Sequence, residues 1–261
     1  MISLNSLKVF LQLNSYLILL SFLMYYLDVE GVMLNIIKYS IRNLILVKSI
    51  DKLLLKKENI GDRKEVIESY RYELILNLLI ASSLEYISLV IVKEIYNLKN
   101  KCGVYDLILF IPLSFIFEII FDFFHYWSHR VLHNKLLFKY FHKKHHKFIH
   151  PKTITTYYQD PIDLLLTNNI PTILGSIVLI NRSIFLYHLV SVYKSFVEIG
   201  GHGGKKCSPS SSFTQFIWLP KKLNIELYTE DHDYHHQNGK CNYSKRFSLW
   251  DKLFGTYIKK G

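Results

Sequence analysis

Residues 104–129 read VYDLILFIPLSFIFEIIFDFFHYWSH. The run from Val104 to Phe124 is interrupted only by Pro112 and a few acidic side chains such as Glu118, and it is long enough for a helix that crosses a bilayer, which takes about 20 residues. His125 and His129 follow at once, four residues apart, on what continues as the same helix face. A membrane span that ends in paired imidazoles sets the expectation for the rest of the chain.

Outward from this stretch the apolar runs recur. Val9 to Leu27 has no charged residue, and without a small-x-small cleavage site it reads as a retained span. Leu74 to Val92 is broken only by Glu85, and Leu164 to Asn181 with Ser183 to Tyr193 forms a helical hairpin turning at Arg182. Half of the 261 residues are apolar. The expected fold is all-α, a multi-span transmembrane bundle topped by a cytosolic, histidine-rich helical cap. Residues 1–104 are expected to supply membrane spans and a basic cytosolic loop, and residues 105–261 to form a second domain that carries the histidines.

The formal net charge of +11 comes from Lys and Arg placed between the spans, which excludes a nucleic-acid-binding module and fits orientation by the positive-inside rule. Nine Lys or Arg lie between Asp28 and Arg71, seven between His125 and Asp160, and ten after Gly200. These three regions are expected to share the cytosolic side, giving five crossings with the amino terminus outside. Irregular structure is expected over 200–222, where Gly, Ser, Pro and Lys are dense. Cys102, Cys207 and Cys241 are odd in number and widely spaced, so neither a disulfide framework nor a zinc ribbon is indicated.

Of twelve histidines, eight fall into three groups: His125 and His129; His142, His145 and His146; His232, His235 and His236. Spacings of three and four let each group present imidazoles toward one point. The hairpin returns the chain to the face where the first two groups lie, so all three can meet. Imidazole suits transition metals, whereas magnesium and calcium prefer oxygen. Eight or nine imidazoles exceed what one ion holds, which points to two metals, and a pair of irons can activate dioxygen where zinc cannot. The competing reading is a solvated basic face, helped by Lys143, Lys144 and Lys147. His133, His150 and His188 are read as structural.

The segments Asp122-Phe-Phe-His125-Tyr-Trp-Ser-His129-Arg130, Tyr140-Phe-His142-Lys-Lys-His145-His146, Asp231-His232-Asp-Tyr-His235-His236 and Leu249-Trp-Asp-Lys-Leu-Phe-Gly-Thr256 resemble the fatty acid hydroxylase and sterol desaturase superfamily over about residues 105 to 258. The resemblance implies a membrane di-iron oxygenase. His125, His129, His142, His145, His146, His232, His235 and His236 would be ligands, with His202, in Glu198-Ile-Gly-Gly-His202, as a ninth. Asp122, Asp231 and Asp233 would orient imidazoles or simply cap helices. Asp160 stands where relatives often carry a histidine, and either ligates as a carboxylate or leaves a position to water.

The resemblance further implies O2, a lipid substrate with sterols favoured, and electrons from a separate cytochrome b-type donor and its reductase. Fatty acid or ceramide hydroxylases and aldehyde-processing relatives share the same boxes. A metal transporter or an inactive descendant is the alternative class. The closing Lys259-Lys260-Gly261 is similar to a dilysine retrieval tail, so the expected location is the endoplasmic reticulum, with the histidines facing the cytosol.

Overall fold

The structure is a computed structural model that describes residues 4–27, 29–61, 67–206, 214–216 and 218–260. Cys207, and part of the irregular stretch expected over 200–222, lie outside the described residues.

Six long helical elements run alternately up and down: α1 Leu4–Tyr26, α2 Val32–Leu54, α3 Arg71–Ile95, α4 Val104–Leu132, α5 Pro161–Leu179 and α6 Ile184–Gly201. The all-α membrane bundle expected from the sequence is thus present, and four elements, α1 from Leu7 and α3 to α5, are long and apolar enough to cross a membrane. Leu, Ile and Phe dominate these helices. Side chains such as Leu11, Leu19, Ile75, Leu76, Ile108 and Ile116 stay exposed on the bundle's outside, where a bilayer would cover them.

α6 is the central element. Every residue from Phe185 to Ile199 is buried, and the helix packs on α1, α2 and α4. The expected hairpin joins α5 to α6 through residues 180–183, with the Ser183 hydroxyl accepting from the Leu186 N–H at 2.9 Å as an N-cap. Asn181 takes a positive φ of 57° in this turn, a conformation that asparagine tolerates well. Its N–H donates to Tyr96 O, and Lys99 N–H donates to Arg182 O, so the loop after α3 is sewn to the hairpin tip.

Two expectations need correction. The segment read as a basic loop holds α2, a 23-residue helix. Its central charge is neutralised inside the bundle, where Arg42 pairs with Glu85 of α3 at 2.7 Å, while Lys38 donates to Leu27 O at the end of α1 and Lys48 and Lys52 stay exposed. A hydropathy count breaks at such charges although the helix does not. The extra helix also reverses the expected position of the amino terminus. The early part of α1 lies at the histidine end, where Phe10 stacks on Phe216 and Asn14 accepts from Gln215, while Tyr25 reaches Asn100 at the opposite end.

Beyond α4 the chain forms a cap of short turns. Residues Phe138–His142 make a π turn and His145–Lys147 a 3-10 turn, so the second histidine group sits on tight turns and not on one regular helix. The third group lies on a true helix, α7 Thr229–Asn238, which ends at Gly239 in the left-handed conformation at φ 66°.

Candidate metal centre

The structure gathers ten imidazoles where α4, the cap turns, the end of α6 and α7 meet. Nine of them fall into two groups, within each of which one ligand-capable nitrogen per residue lies within 4.8 Å of the others. The first group is His129, His133, His142, His146 and His235, and the second is His145, His202, His232 and His236. His146 and His145 are neighbours in sequence yet belong to different groups.

Eight of the nine histidines singled out from the sequence lie in these groups, including His202. His125 belongs to neither, but its ring centroid is 5.1 Å from that of His129, and it lines a small cavity with His142, His145, His232 and Lys245. Its Nε2 is buried without a hydrogen-bond partner among the described residues. His133, read as structural, joins the first group, with Nε2 3.2 Å from His235 Nε2. The signal was available: His125, His129 and His133 continue one four-residue spacing along α4. His150 stays outside, its Nδ1 2.9 Å from Asp233 Oδ2, and His188 is buried within α6.

The outward nitrogens of the first group are tied down. His129 Nδ1 meets Tyr243 O and His235 Nδ1 meets Cys241 O, both at 2.7 Å, and His142 Nδ1 meets Asp163 Oδ2 at 2.8 Å. Beside them, His125 Nδ1 meets Thr167 O at 2.6 Å. The Thr167 carbonyl is available because the residue four further on, Pro171, has no N–H to offer it. A carbonyl can only accept, so the proton sits on Nδ1 and the Nε2 lone pair points inward.

This creates a conflict that a cation resolves. His129 and His142 both spend their Nδ1 protons outward, and their Nε2 atoms face each other at 3.0 Å. Two lone pairs cannot bond one another. Two ligands at about 2.1 Å from one ion and at right angles stand about 3.0 Å apart, so the spacing fits a shared transition metal. His146 with His142, and His232 with His202, repeat the close approach at 3.2 Å. Burial, and then the neighbouring imidazoles, push His133 down to about 2 and His146 to about 3. The same causes hold His145, His232, His235 and His236 well below the ordinary imidazole value, which leaves them neutral and ready to ligate.

The second group is held differently. His202 Nδ1 meets the carbonyl of Glu198 at 3.0 Å. His145 Nδ1, His232 Nδ1 and both nitrogens of His236 find no hydrogen-bond partner among the described residues. All four rings are buried.

The four aspartates named from the sequence bond to groups outside the two histidine clusters. Asp122 accepts the backbone N–H groups of Lys245, Arg246 and Phe247 at 2.7–3.0 Å. Asp231 accepts from Tyr228 N and Lys260 N, Asp233 from Gln237 as well as His150, and Asp160 caps α5 through Ile162 N. Asp163, three residues after Asp160, meets a clustered histidine, His142. Two other aspartates act at one remove. Asp122 and Asp251, which accepts from Tyr243 N and Ser244 N at 2.8 Å, pin the loop whose carbonyls orient His129 and His235.

Beneath the histidines lies a buried ionic network. Glu198 pairs with Lys194 at 2.8 Å and Lys245 at 2.9 Å, Arg246 pairs with Glu118 at 2.5 Å, and Asn168 hydrogen-bonds both Lys194 and Glu198. Each charge has a partner, as burial requires.

A helical bundle that carries such a cluster at one end defines a class, the integral membrane proteins with a histidine-built metal centre. The chain belongs to the fatty acid hydroxylase family, whose profile matches residues 114–256. It is 30% identical over 148 residues to a fatty acid hydroxylase of Lecanicillium, a match covering 54% of this chain and 40% of the relative. It is 33% identical over 143 residues to methylsterol monooxygenase 1 of Rattus norvegicus, covering 54% and 45%. A very-long-chain aldehyde decarbonylase of Oryza sativa is 29% identical over 145 residues, covering 54% and 50%. The matched region thus spans half or less of these relatives' own length. No solved structure matches the chain.

Proposed function

We propose that this chain is a membrane-bound oxygenase that hydroxylates or desaturates a lipid, with sterols favoured, at a di-iron centre built by the two histidine groups. The observation that carries the proposal is the facing of the bare Nε2 atoms of His129, His142 and His146 at 3.0–3.2 Å, beside a second cluster of four buried imidazoles. His129, His133, His142, His146 and His235 would hold one iron and His145, His202, His232 and His236 the other, with His125 beside both. When bound, such a pair supplies the reductive activation of dioxygen needed to attack an unactivated C–H bond.

The protein's own part is positioning and exclusion of water. The carbonyls of Thr167, Tyr243 and Cys241 and the Asp163 carboxylate fix ring tautomer and direction. An apolar cavity reaches His202 and His232, bordered by Phe196, Val197 and Leu227, and gives a lipid a dry approach to the second group. The methylsterol monooxygenases among the relatives favour a sterol over a fatty acyl chain. Histidines gathered at the helix ends, away from the bundle's middle, favour catalysis over ion transport.

Electrons would come from a cytochrome b-type carrier and its reductase. Exposed Lys135, Lys139, Lys143 and Lys147 on the histidine face support docking of an acidic partner. This face would be cytosolic and the membrane that of the endoplasmic reticulum, with residues 105–261 as the catalytic portion.

The test is the metal content of detergent-purified protein from iron-replete cells, beside a variant with His145→Ala and His146→Ala, which removes one donor from each group. About two irons per chain, lost in the variant, are expected. No bound iron in the parent protein overturns the proposal.

A further inference from the structure

The cavity beside His202 and His232 is not built by the family-matched region alone. Its far wall is Ile50, Leu53 and Leu54, the last turns of α2. α2 lies well before residue 114, where the family match begins. Leu53 lines the cavity and is 65% exposed, so the cavity opens sideways on the outside of the bundle at the histidine end.

Leu54 closes on the turn that carries His202. A Cβ added to Gly203 would stand 2.4 Å from Leu54 Cδ1, so the wall lies directly against the backbone next to a clustered histidine. Phe196, Val197 and Leu227 add further apolar lining, and Glu198, Lys245 and Arg246 line the cavity together with His202 and His232.

We propose that the end of α2 is the lateral entry and the selectivity wall for the lipid, with Leu53 at the mouth and Leu54 setting the width beside the metal centre. The inference rests on the oxygenase reading for the identity of the occupant, the apolar body of the substrate entering from the bilayer. Two observations carry it: the cavity is continuous with the histidines, and Leu53 belongs to both cavity and surface. Recognition by such a wall is steric. A methylene gained or lost in an apolar pocket changes discrimination by roughly tenfold or more.

The experiment is photolabelling of the full-length protein in detergent with a diazirine-bearing sterol and, separately, a diazirine-bearing palmitate, followed by peptide mapping. Label is expected on the peptides that carry Leu53 and Leu54 or Leu227 to Thr229. Leu54→Phe is expected to lower sterol labelling roughly tenfold, and Leu54→Ala to raise the ratio of sterol to palmitate labelling. Leu53→Trp, at an exposed position that tolerates the larger ring, repeats the narrowing if Leu54→Phe does not fold. Metal content equal to the parent's controls for folding in each variant.

Label confined to other sites, such as the apolar groove between α1 and α2 lined by Leu23, Met24 and Ile41, overturns the inference. So does a labelling ratio that no variant changes. Labelling needs no metal, so iron-free protein labelled at the α2 wall would end the oxygenase reading and leave the wall standing, and iron-loaded protein without that label would do the reverse.

Discussion

The two histidine groups solve the same problem by different means. In the five-membered group, three rings are oriented from outside by two carbonyls and a carboxylate, while His133 and His146 are only half-buried. In the four-membered group every ring is buried, yet three of the four have an Nδ1 without a hydrogen-bond partner among the described residues. One set is preorganised by hydrogen bonds. The other is arranged by packing, and it is the one that meets the apolar cavity.

The difference teaches that ligand number and ligand rigidity are separate properties. Outer partners typically contribute 10–100-fold to metal affinity, so removing one should matter only where one exists. The largest effect is therefore expected for Asp163→Asn, which weakens the hold on His142 by about 10–100-fold in chelator competition. On the di-iron proposal, metal should leave the five-membered group first in that variant and the four-membered group first in the parent. Identical release curves for variant and parent would erase the distinction.

A smaller effect is expected in acid. A buried imidazole kept neutral in the fold takes up a proton on unfolding near the ordinary value of about 6.5, so below that pH the unfolded state binds more protons and stability is lost as the pH is lowered. Each such group costs up to about 1.4 kcal/mol per pH unit within its window. Burial and neighbouring imidazoles hold His236 well below its ordinary value, and His146 at about 3. Metal-free His236→Gln and metal-free His146→Gln should therefore each lose less melting temperature between pH 7.5 and 5 than the metal-free parent. A loss equal to the parent's in both variants would show that these imidazoles do not govern acid stability.

The smallest effect is expected outside both groups. Asp160→Ala removes an N-cap and should cost about 1 kcal/mol of stability with metal content unchanged. Loss of iron in that variant would reinstate Asp160 as part of the centre.

Much of this was legible in the sequence because imidazole spacing encodes helix geometry locally. His129 and His133, or His232 and His236, need only one turn of helix to meet in the same group. The outer partners were not legible, because their positions depend on contacts between distant segments. Asp122 sits three residues before His125, as an orienting residue might be sought, but its carboxylate turns to backbone more than a hundred residues away. Tyr243 O and Cys241 O carry no side-chain signature. Pro171 was visible, but the carbonyl that it frees has meaning only once α5 lies against α4. α2 was missed for the opposite reason: its charges were visible, and their partners were not.

The Arg42–Glu85 pair has a consequence for how the chain enters its membrane. An arginine at the centre of a lone helix opposes insertion by about 2.5–3.5 kcal/mol. Within the bundle Arg42 is 1% exposed and bonded to Glu85, Asn43 and Ser195, so the penalty exists only while α2 is without its neighbours. By itself α2, which is not among the four helices long and apolar enough to cross a membrane, is therefore a poor stop-transfer segment, and the counter-charge that offsets its arginine comes from α3.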